Sequence, residues 1–415
     1  MSMTTHSEHH PGSGIYVSAG PWLTFLELSL DGARLCEQSA LHLPSKVQYA
    51  WQSPVHPILY VVTGDGYDPD ADSCICVVNL KAESGNPTEI AQVVRLSSRP
   101  IHTSTDARGR WLFVASGGGN NCPNRIDVYK IGADGKILEH VPQSATLGTG
   151  ILPHQILAAP DGKYVFVCYR GNAPQDGYDE EPGSIVIYRL GADGRLADHQ
   201  TVAPGNGIGF RPRHIEFHPN GRWVYAAIEE QNLLQMYEWT GGRLSHSPLF
   251  SVSTLTQDDR KAACPQVAGA IHIHPSGRYV YVSNRGNVYR KGSNRLIQGM
   301  GENSIAIFSI DQETGEPYWI GNVSTQSFHP RTFSVNDQAN MLVAAGVLGY
   351  EPAGDSREGA VPPRLSILAI AGGGHSLNLL RTVDVDMARG APFWCGFWRK
   401  PMGAGAPARS LKDVS

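Results

Sequence analysis

One segment recurs along this chain and places polar residues at matching positions in each copy. Four copies read RPIHTSTDARGRWLFVASGG, LPHQILAAPDGKYVFVCYRG, RPRHIEFHPNGRWVYAAIEE and AGAIHIHPSGRYVYVSNRG. On both sides of the central glycine, Val, Ile, Tyr and Phe alternate with other residues, which is typical of two antiparallel strands joined by a tight turn. The chain therefore has to fold as a series of similar units, each built on a hairpin.

The repeat has a regular and rather long period of roughly 50 to 60 residues. The first strands of the units are expected to begin near seven positions: Gln48, Pro100, Pro153, Pro212, Gly269, Pro330 and Pro392. Third strands such as IDVYKI, SIVIYRL and NSIAIFSI follow, and a weaker fourth strand completes each unit. Short strands at such a period indicate a ring of small sheets. We therefore predict an all-β fold, a seven-bladed β-propeller that forms a single domain over residues 15–400.

Both ends of the chain lack strands that this pattern requires. The segment PFWCGFW at residues 392–398 has no strands after it, and the N-terminal segments IYVSAG, FLELSL and ARLCEQSAL have no first strand before them. Joined, they make one complete blade, so we expect N- and C-terminal strands to close the ring in one blade. Residues 1–14 are expected to be a disordered lead-in and residues 401–415 a loose tail.

Composition argues against several classes of partner. The formal net charge is −4 and no basic stripe occurs, so nucleic acid is not expected. No apolar stretch reaches the roughly 18 residues of a membrane span, and the first residues lack the apolar core of a signal peptide. Seven cysteines without framework spacing are most simply reduced thiols. The sequence thus predicts a cytoplasmic protein without a membrane partner and leaves the oligomeric state open.

The repeat also predicts which side chains meet. Residues equally far from a hairpin turn lie side by side. Eight positions before the central glycines stand Ile101, His154, Arg213 and Gly269, and eight positions after them stand Gly117, Arg170, Glu229 and Arg285. In a closed ring, the imidazole, the carboxylate and the guanidinium groups of these two sets would converge on the axis. That combination indicates an active site better than a core.

These residues lie in motifs that resemble the lactonase family of seven-bladed β-propellers, which includes propeller-type 6-phosphogluconolactonase and the fungal 3-carboxy-cis,cis-muconate lactonizing enzyme. The motifs are PHQ at residues 153–155, PRHIEFHPNGRWVY at 212–225, SNRG at 283–286 and HPRTF at 329–333. The resemblance covers roughly residues 15–400. It implies four catalytic residues: His154, Arg213, Glu229 and Arg285. The chain departs from relatives at Ala270, where they often have Glu, and at insertions over residues 172–183 and 287–303.

Further side chains are predicted to bind substrate. Arg170 shares the offset of Glu229, His102 and His272 lie in innermost strands, and Arg331 belongs to the HPRTF motif. His214 directly follows Arg213. Because neighbouring residues of a strand point to opposite faces, we expect His214 to face away from the side of Arg213.

The resemblance implies a metal-independent lactonase that hydrolyses a sugar or carboxylated lactone. Glu229 would act as general base on water, provided that its pKa stays in the working range. Arg213 and Arg285 would stabilise the oxyanion or hold a substrate anion, and His154 would exchange a proton with the ring oxygen. No cofactor is expected, and the predicted partner is a small anionic lactone or muconate.

Two alternatives stay open. In a cycloisomerase of the carboxymuconate lactonizing type, a carboxylate attacks its own double bond and Glu229 or His154 delivers a proton to carbon. In a non-catalytic propeller binding scaffold, Glu229 and Arg285 would be only a structural ion pair. The sequence contains neither G-x-S-x-G nor H-E-x-x-H, so a serine hydrolase or a zincin has no support.

Overall fold

A computed structural model describes residues 13–402 except 66, 67, 69, 70, 119–121, 175–178, 257–264, 287–300 and 351–359. Most of the expected lead-in and tail, and parts of both insertions, therefore lie outside the described residues. Three 3₁₀ helices occur among the described residues, at Pro204–Gly207, Gly372–Gly374 and Met387–Arg389. Within the same residues, no helix combines the length and the apolar character that crossing a membrane requires.

The strands form seven antiparallel sheets, which are the blades of a propeller. The chain starts with three strands of blade 7: β1 (Ser13–Ala19), β2 (Trp22–Leu28) and β3 (Leu35–His42). Blade 1 contains β4 (Val47–Gln52), β5 (Ile58–Thr63), β6 (Cys74–Leu80) and β7 (Pro87–Arg95). Blade 2 contains β8 (Pro100–Thr105), β9 (Trp111–Ser116), β10 (Arg125–Ile131) and β11 (Ile137–Val141). Blade 3 contains β12 (Pro153–Ala158), β13 (Tyr164–Tyr169), β14 (Ser184–Leu190) and β15 (Leu196–Val202).

The remaining blades follow in chain order. Blade 4 has a fifth short strand and contains β16 (Pro212–Phe217), β17 (Trp223–Ile228), β18 (Leu233–Thr240), β19 (Arg243–Leu244) and β20 (Phe250–Ser253). Blade 5 contains β21 (Gln266–Ile273), β22 (Tyr279–Gly286), β23 (Ser304–Ile310) and β24 (Pro317–Ser324). Blade 6 contains β25 (Phe328–Val335), β26 (Met341–Leu348), β27 (Arg364–Ala371) and β28 (Ser376–Asp384). The last strand, β29 (Pro392–Phe397), completes blade 7.

The ring closes as the missing strands at the two chain ends predicted. Strand β29 pairs antiparallel with β1, with Ile15 opposite Phe397 and Val17 opposite Cys395. Blade 7 is therefore built from both ends of the chain and lies between blades 6 and 1. The prediction of an all-β, seven-bladed propeller closed in one blade is confirmed.

The core of the molecule lies between the blades. Buried side chains form seven clusters, one at each interface between neighbouring blades. Tyrosines of several second strands add a polar tie, because each donates its hydroxyl at 2.6 to 2.8 Å to a turn carbonyl of the next blade: Tyr16 to Gly85, Tyr60 to Gly135, Tyr225 to Gly315 and Tyr281 to Gly374. The interfaces hold the first strands of the blades around the central axis.

The first strand of each blade carries an irregularity at one equivalent position. There the register against the neighbouring strand shifts and leaves one residue, or two in β21, without a partner: Gln48, Ile101, His154, Arg213, Gly269 with Ala270, Arg331 and Phe393. A β-bulge of this kind redirects a side chain and is common beside active sites. We call these positions the bulge ring. It places His154, Arg213 and Arg331 at one end of the axis.

Candidate active site

The carboxylate of Glu229 lies at the centre of a cluster of charged side chains near the bulge ring. Its Oε1 accepts a hydrogen bond from Nη2 of Arg285 at 2.7 Å, and its Oε2 accepts one from Nη1 of Arg170 at 3.2 Å. The Nε atom of Arg213 lies 3.9 Å from Oε1. Three successive blades thus contribute a guanidinium group each to one buried carboxylate. The structure brings these four residues together, as the offsets from the turn glycines predicted.

The surrounding positive charge determines the ionisation of Glu229. Burial raises the pKa of this carboxyl group, but the charges of Arg170, Arg285 and Arg213 outweigh burial and hold the pKa well below its usual range. Glu229 is therefore ionised and, with no ligand present, a weak base. A general base needs a pKa in the working range, and these residues alone do not give Glu229 such a pKa.

Arg285 is held in place from several sides. Its Nη2 also donates to the carbonyl oxygen of Ala268 at 2.7 Å, and its Nη1 lies 3.4 Å from Nε2 of His329. The other ring nitrogen of His329, Nδ1, lies 3.0 Å from the carbonyl oxygen of Gly286. Nδ1 must donate to that carbonyl, so Nε2 carries the lone pair and accepts from Arg285. Burial and the nearby Arg285 charge lower the pKa of His329 to about 3, which keeps the ring neutral.

Arg213 differs from Arg285 because its donors are largely unused. Its side chain is only 1% exposed. Among the described residues, its guanidinium makes one hydrogen-bond contact, from Nη1 to Nδ1 of His214 at 3.4 Å, and its Nε has no hydrogen-bond partner. Burial, together with the charges of Arg285 and Arg331, lowers the pKa of Arg213. A buried guanidinium with spare donors is well suited to receive an anion.

Arg331 adds a fourth guanidinium group to this end of the axis. It lies over the ring of Phe393, with 4.1 Å between its Cζ atom and the ring centroid. Burial and the charge of Arg285 lower its pKa to about 9. Three guanidinium groups therefore lie within 4 Å of the Glu229 carboxylate, and Arg331 adds a fourth positive charge that interacts with it. The cluster carries excess positive charge that favours an anionic ligand.

His154 lies in the same electrostatic environment. Its side chain is buried, and its Nδ1 has no hydrogen-bond partner among the described residues. Burial, followed by the charge of Arg213, holds the pKa of His154 well below its ordinary value. His154 is therefore a neutral imidazole that can accept a hydrogen bond or a proton from a ligand.

The next layer of side chains below the bulge ring consists mainly of aromatic rings. His214 lies with its ring centroid 5.3 Å from that of His154 and 5.7 Å from that of His102. The ring of Tyr49 packs against that of His102 in a tilted arrangement, with 4.1 Å between the centroids. The expectation that His214 faces away from Arg213 is wrong, because the two side chains are in contact. The bulge at Arg213 interrupts the alternation of the strand, so two successive side chains face the axis.

Two predicted substrate-binding residues do not join the cluster. His102 is buried beneath the bulge ring, where burial and the Arg213 charge lower its pKa to about 3. His272 lies further along the axis, where its Nδ1 is 3.6 Å from Oε2 of Glu216. Glu216 and His272 line a cavity of about 350 Å³ on the side of the hairpin turns. We call it the turn-side cavity.

A separate buried arginine fixes part of the insertion over residues 172–183. Arg211 donates to a carboxylate oxygen of Glu180 at 2.6 Å and to the backbone carbonyls of Asn172 and Glu181 at 2.8 and 3.1 Å. Its Nε also lies 3.3 Å from the carboxylate of Glu230. Arg211 therefore ties the described part of this insertion to the residue that follows Glu229.

Residues 14–347 match the family of seven-bladed β-propellers described as lactonases. The chain belongs to the lactonase family of seven-bladed β-propellers. This match spans the chain from β1 into β26 and includes every member of the charged cluster.

Two relatives of this chain are named 6-phosphogluconolactonases. A 6-phosphogluconolactonase of Bacillus subtilis is 27% identical over 339 residues, which cover 80% of this chain and 86% of that protein. A 6-phosphogluconolactonase of Pectobacterium carotovorum is 29% identical over 269 residues, covering 64% of this chain and 68% of that protein. Among solved structures, a periplasmic gluconolactonase of Pseudomonas aeruginosa aligns with a TM-score of 0.67 and 19% identity over 94% of this chain and 99% of its own. That similarity shows a shared fold.

One residue of the cluster in this lactonase-family chain, His329, was not predicted from the repeat. His329 begins the HPRTF motif, but the hairpin turn of its unit has Ala339 where the four copies have glycine, so offsets from the turn glycines gave no reason to select it. The backbone of His329 has a φ of 53°, which non-glycine residues seldom adopt. This conformation accompanies the contact of the His329 ring with Arg285.

Proposed function

We propose that this chain is a lactonase that hydrolyses a sugar lactone carrying a phosphate or carboxylate group. The observation that carries the proposal is the excess of guanidinium groups around Glu229, with the donors of buried Arg213 largely unused. A neutral lactone would leave this positive charge unbalanced. An anionic one would balance it and be oriented by it.

The proposed reaction begins with the anion of the substrate between Arg213 and Arg331. Water attacks the lactone carbonyl carbon, and negative charge develops on the carbonyl oxygen. A guanidinium donor of Arg213 stabilises that oxygen, which is the largest contribution expected in this type of chemistry. The bond between the carbonyl carbon and the ring oxygen then breaks, and the ring oxygen takes up a proton.

Glu229 and His154 are proposed to move the protons. The substrate anion offsets part of the guanidinium charge, so the pKa of Glu229 rises when the substrate binds and the carboxylate becomes able to take a proton from water. The same change favours the protonated form of His154, which gives a proton to the departing ring oxygen. Arg285 and Arg170 keep the Glu229 carboxylate in position throughout.

These roles are assigned to side chains of the protein, and we propose that no metal ion is needed. The check is turnover after dialysis against EDTA, which should stay unchanged. A cytoplasmic location stays a prediction from the sequence; one solved structure with the same fold is named as a periplasmic gluconolactonase.

The test is a substrate panel in which charge and reaction type vary separately. We would compare 6-phosphogluconolactone, uncharged gluconolactone, a carboxylated lactone and 3-carboxy-cis,cis-muconate, and follow proton release and ultraviolet absorbance together. The proposal expects acid release from the lactones, with kcat/KM at least about tenfold higher for the charged member of a pair. Loss of the diene absorbance without lactone hydrolysis would instead support the cycloisomerase. No turnover of any member would support a binding scaffold.

A matched pair of variants makes the panel specific to the cluster. Glu229→Gln removes the carboxylate at the bulge ring, whereas Glu216→Gln removes a carboxylate of the same blade in the turn-side cavity. The proposal expects turnover to fall strongly in the first variant and to stay near that of the unmodified protein in the second. Equal losses in both would show that general damage to blade 4, rather than lost chemistry, explains the effect.

A further inference from the structure

The turn-side cavity is separated from the charged cluster by the layer that contains His214 and Tyr49. Its wall is rich in aromatic rings, namely Tyr49, Trp51, Phe333 and Trp394. The rings of Tyr49 and Trp394 lie 6.0 Å apart, and Phe333 meets the ring of His272 edge-on at 4.9 Å. A cavity of about 350 Å³ is large enough for a small organic molecule.

Glu216 is the acidic group in this cavity. Its carboxylate is 35% exposed, and among the described residues its nearest charged-type neighbour is Nδ1 of His272 at 3.6 Å. The other ring nitrogen of His272, Nε2, lies 2.9 Å from the carbonyl oxygen of Phe333 and must donate to it. Nδ1 therefore carries the lone pair in the neutral ring. Burial, with the Arg399 charge, lowers the pKa of His272 to about 4, so His272 gives Glu216 no positive partner near neutral pH.

The positive groups at the same mouth have acidic partners elsewhere. The Nε atom of Arg399 lies 3.3 Å from Asp337, and its Nη2 donates to the carbonyl oxygen of Val335 at 3.2 Å. The ammonium group of Lys400 lies 2.8 Å from Glu83. Within the described part of the chain, both cations of the lining are thus held by other acidic groups, whereas Glu216 has no charged partner within 4 Å, and the Arg399 charge reaches it only over a longer distance.

We propose that the turn-side cavity binds a small organic ammonium ion, with Glu216 as its counter-charge and the aromatic wall around its alkyl groups. Aromatic faces attract ammonium groups through their quadrupoles, and a carboxylate beside them supplies the net charge. The excess of guanidinium groups at the other end of the axis disfavours a cation there. The proposal is independent of the proposed lactonase activity.

Isothermal titration calorimetry with choline tests the charge requirement. Its uncharged isostere, 3,3-dimethyl-1-butanol, has the same shape and serves as the matched probe. We expect saturable binding of choline at pH 8 and binding of the alcohol at least about tenfold weaker. Equal binding of the two probes, or no binding of choline, would overturn the proposal.

The same pair of variants locates the site. Glu216→Gln should weaken choline binding at least about tenfold while kcat/KM for the lactone changes little. Glu229→Gln should leave choline binding as it is. Choline binding that survives in Glu216→Gln, or that disappears only in Glu229→Gln, would show that the cation occupies another site.

The dependence of binding on pH gives a second readout. Burial raises the pKa of Glu216 to about 7, opposed by the charge of Arg399. Among the other titratable groups of the lining, His272 is neutral above about pH 4, and burial also lowers the pKa of His214. Burial raises the pKa of the remaining ones, which are Tyr16, Tyr49 and Cys395. Only Glu216 among these gains charge between pH 6 and 8, so choline affinity should increase over that interval. A constant affinity would contradict the role of Glu216.

Discussion

Replacing Glu229 by Gln should separate binding from turnover. The variant keeps the shape of the side chain but removes the only carboxylate found to contact Arg170, Arg213 and Arg285 in the described part of the structure. Without a base, kcat should fall by about 10²–10⁴, the usual contribution of general acid–base catalysis. Without the negative charge, an anionic substrate should bind more tightly.

The size of the binding effect follows from the geometry. The carboxylate lies 3.9 Å from Nε of Arg213, so a substrate anion held on the far side of that guanidinium would sit about 6 Å from it. Two like charges at that distance repel by about 3 kcal/mol at an effective dielectric constant near 20. Water in an occupied site reduces this to about 1–2 kcal/mol, which corresponds to roughly five- to thirtyfold tighter binding.

The assay measures kcat and KM with charged and neutral lactones, together with the dissociation constant of the charged product. We expect KM and the product constant to fall for charged ligands only, while kcat falls for both. Full activity of the variant would refute the assignment of Glu229 as base. An unchanged product constant would refute the electrostatic account of the cluster.

The same variant should also lose stability, because removal of one partner leaves buried guanidinium groups without an anion. Thermal melting should shift downward, and added phosphate should restore part of the shift by binding to the folded state. A melting temperature that does not respond to phosphate would show that the cluster is not an anion site.

Three further predictions test other parts of the reasoning. Arg213→Lys keeps the charge but loses the planar fork, so kcat/KM should fall more for a charged lactone than for a neutral one. Arg285→Lys disturbs Glu229 itself and should lower kcat/KM for both lactones alike. If the ratio of kcat/KM for the charged and neutral lactones were the same in the two variants, the different roles assigned to Arg213 and Arg285 would be contradicted. The acidic limb of the kcat profile should lie at higher pH than that of kcat/KM. The kcat/KM profile reports the free enzyme, in which the guanidinium charges hold the pKa of Glu229 low, whereas the kcat profile reports the complex, in which the substrate anion raises that pKa. Coincident limbs would show that the substrate does not change the pKa of the base. A chain that ends before Pro392 loses β29, whose buried residues Trp394 and Phe397 pack against blades 1 and 6, respectively. The truncated protein should be insoluble or melt at a lower temperature. An unchanged melting temperature would contradict closure of the ring by this strand.

The sequence by itself determined the architecture. Alternating strands around turn glycines at a fixed long period leave few folds other than a ring of blades, and the strands missing at the two ends predicted how blade 7 forms. The offsets from those glycines also selected Arg170, Arg213, Glu229 and Arg285, because residues equally far from a hairpin turn reach the same end of the axis.

The tertiary structure decided what each of these side chains can do. Alternation along a strand predicted that His214 faces away from Arg213, but a bulge brings both to the axis, and bulges depend on how neighbouring strands pair rather than on local sequence. Likewise, the sequence predicted both His272 and Arg331 to bind substrate, yet the two residues lie at different depths along the central axis. Charge balance, burial and hydrogen-bond partners are properties of the closed ring, so the low pKa of Glu229, the spare donors of Arg213 and the isolated carboxylate of Glu216 appear only once all seven blades are assembled.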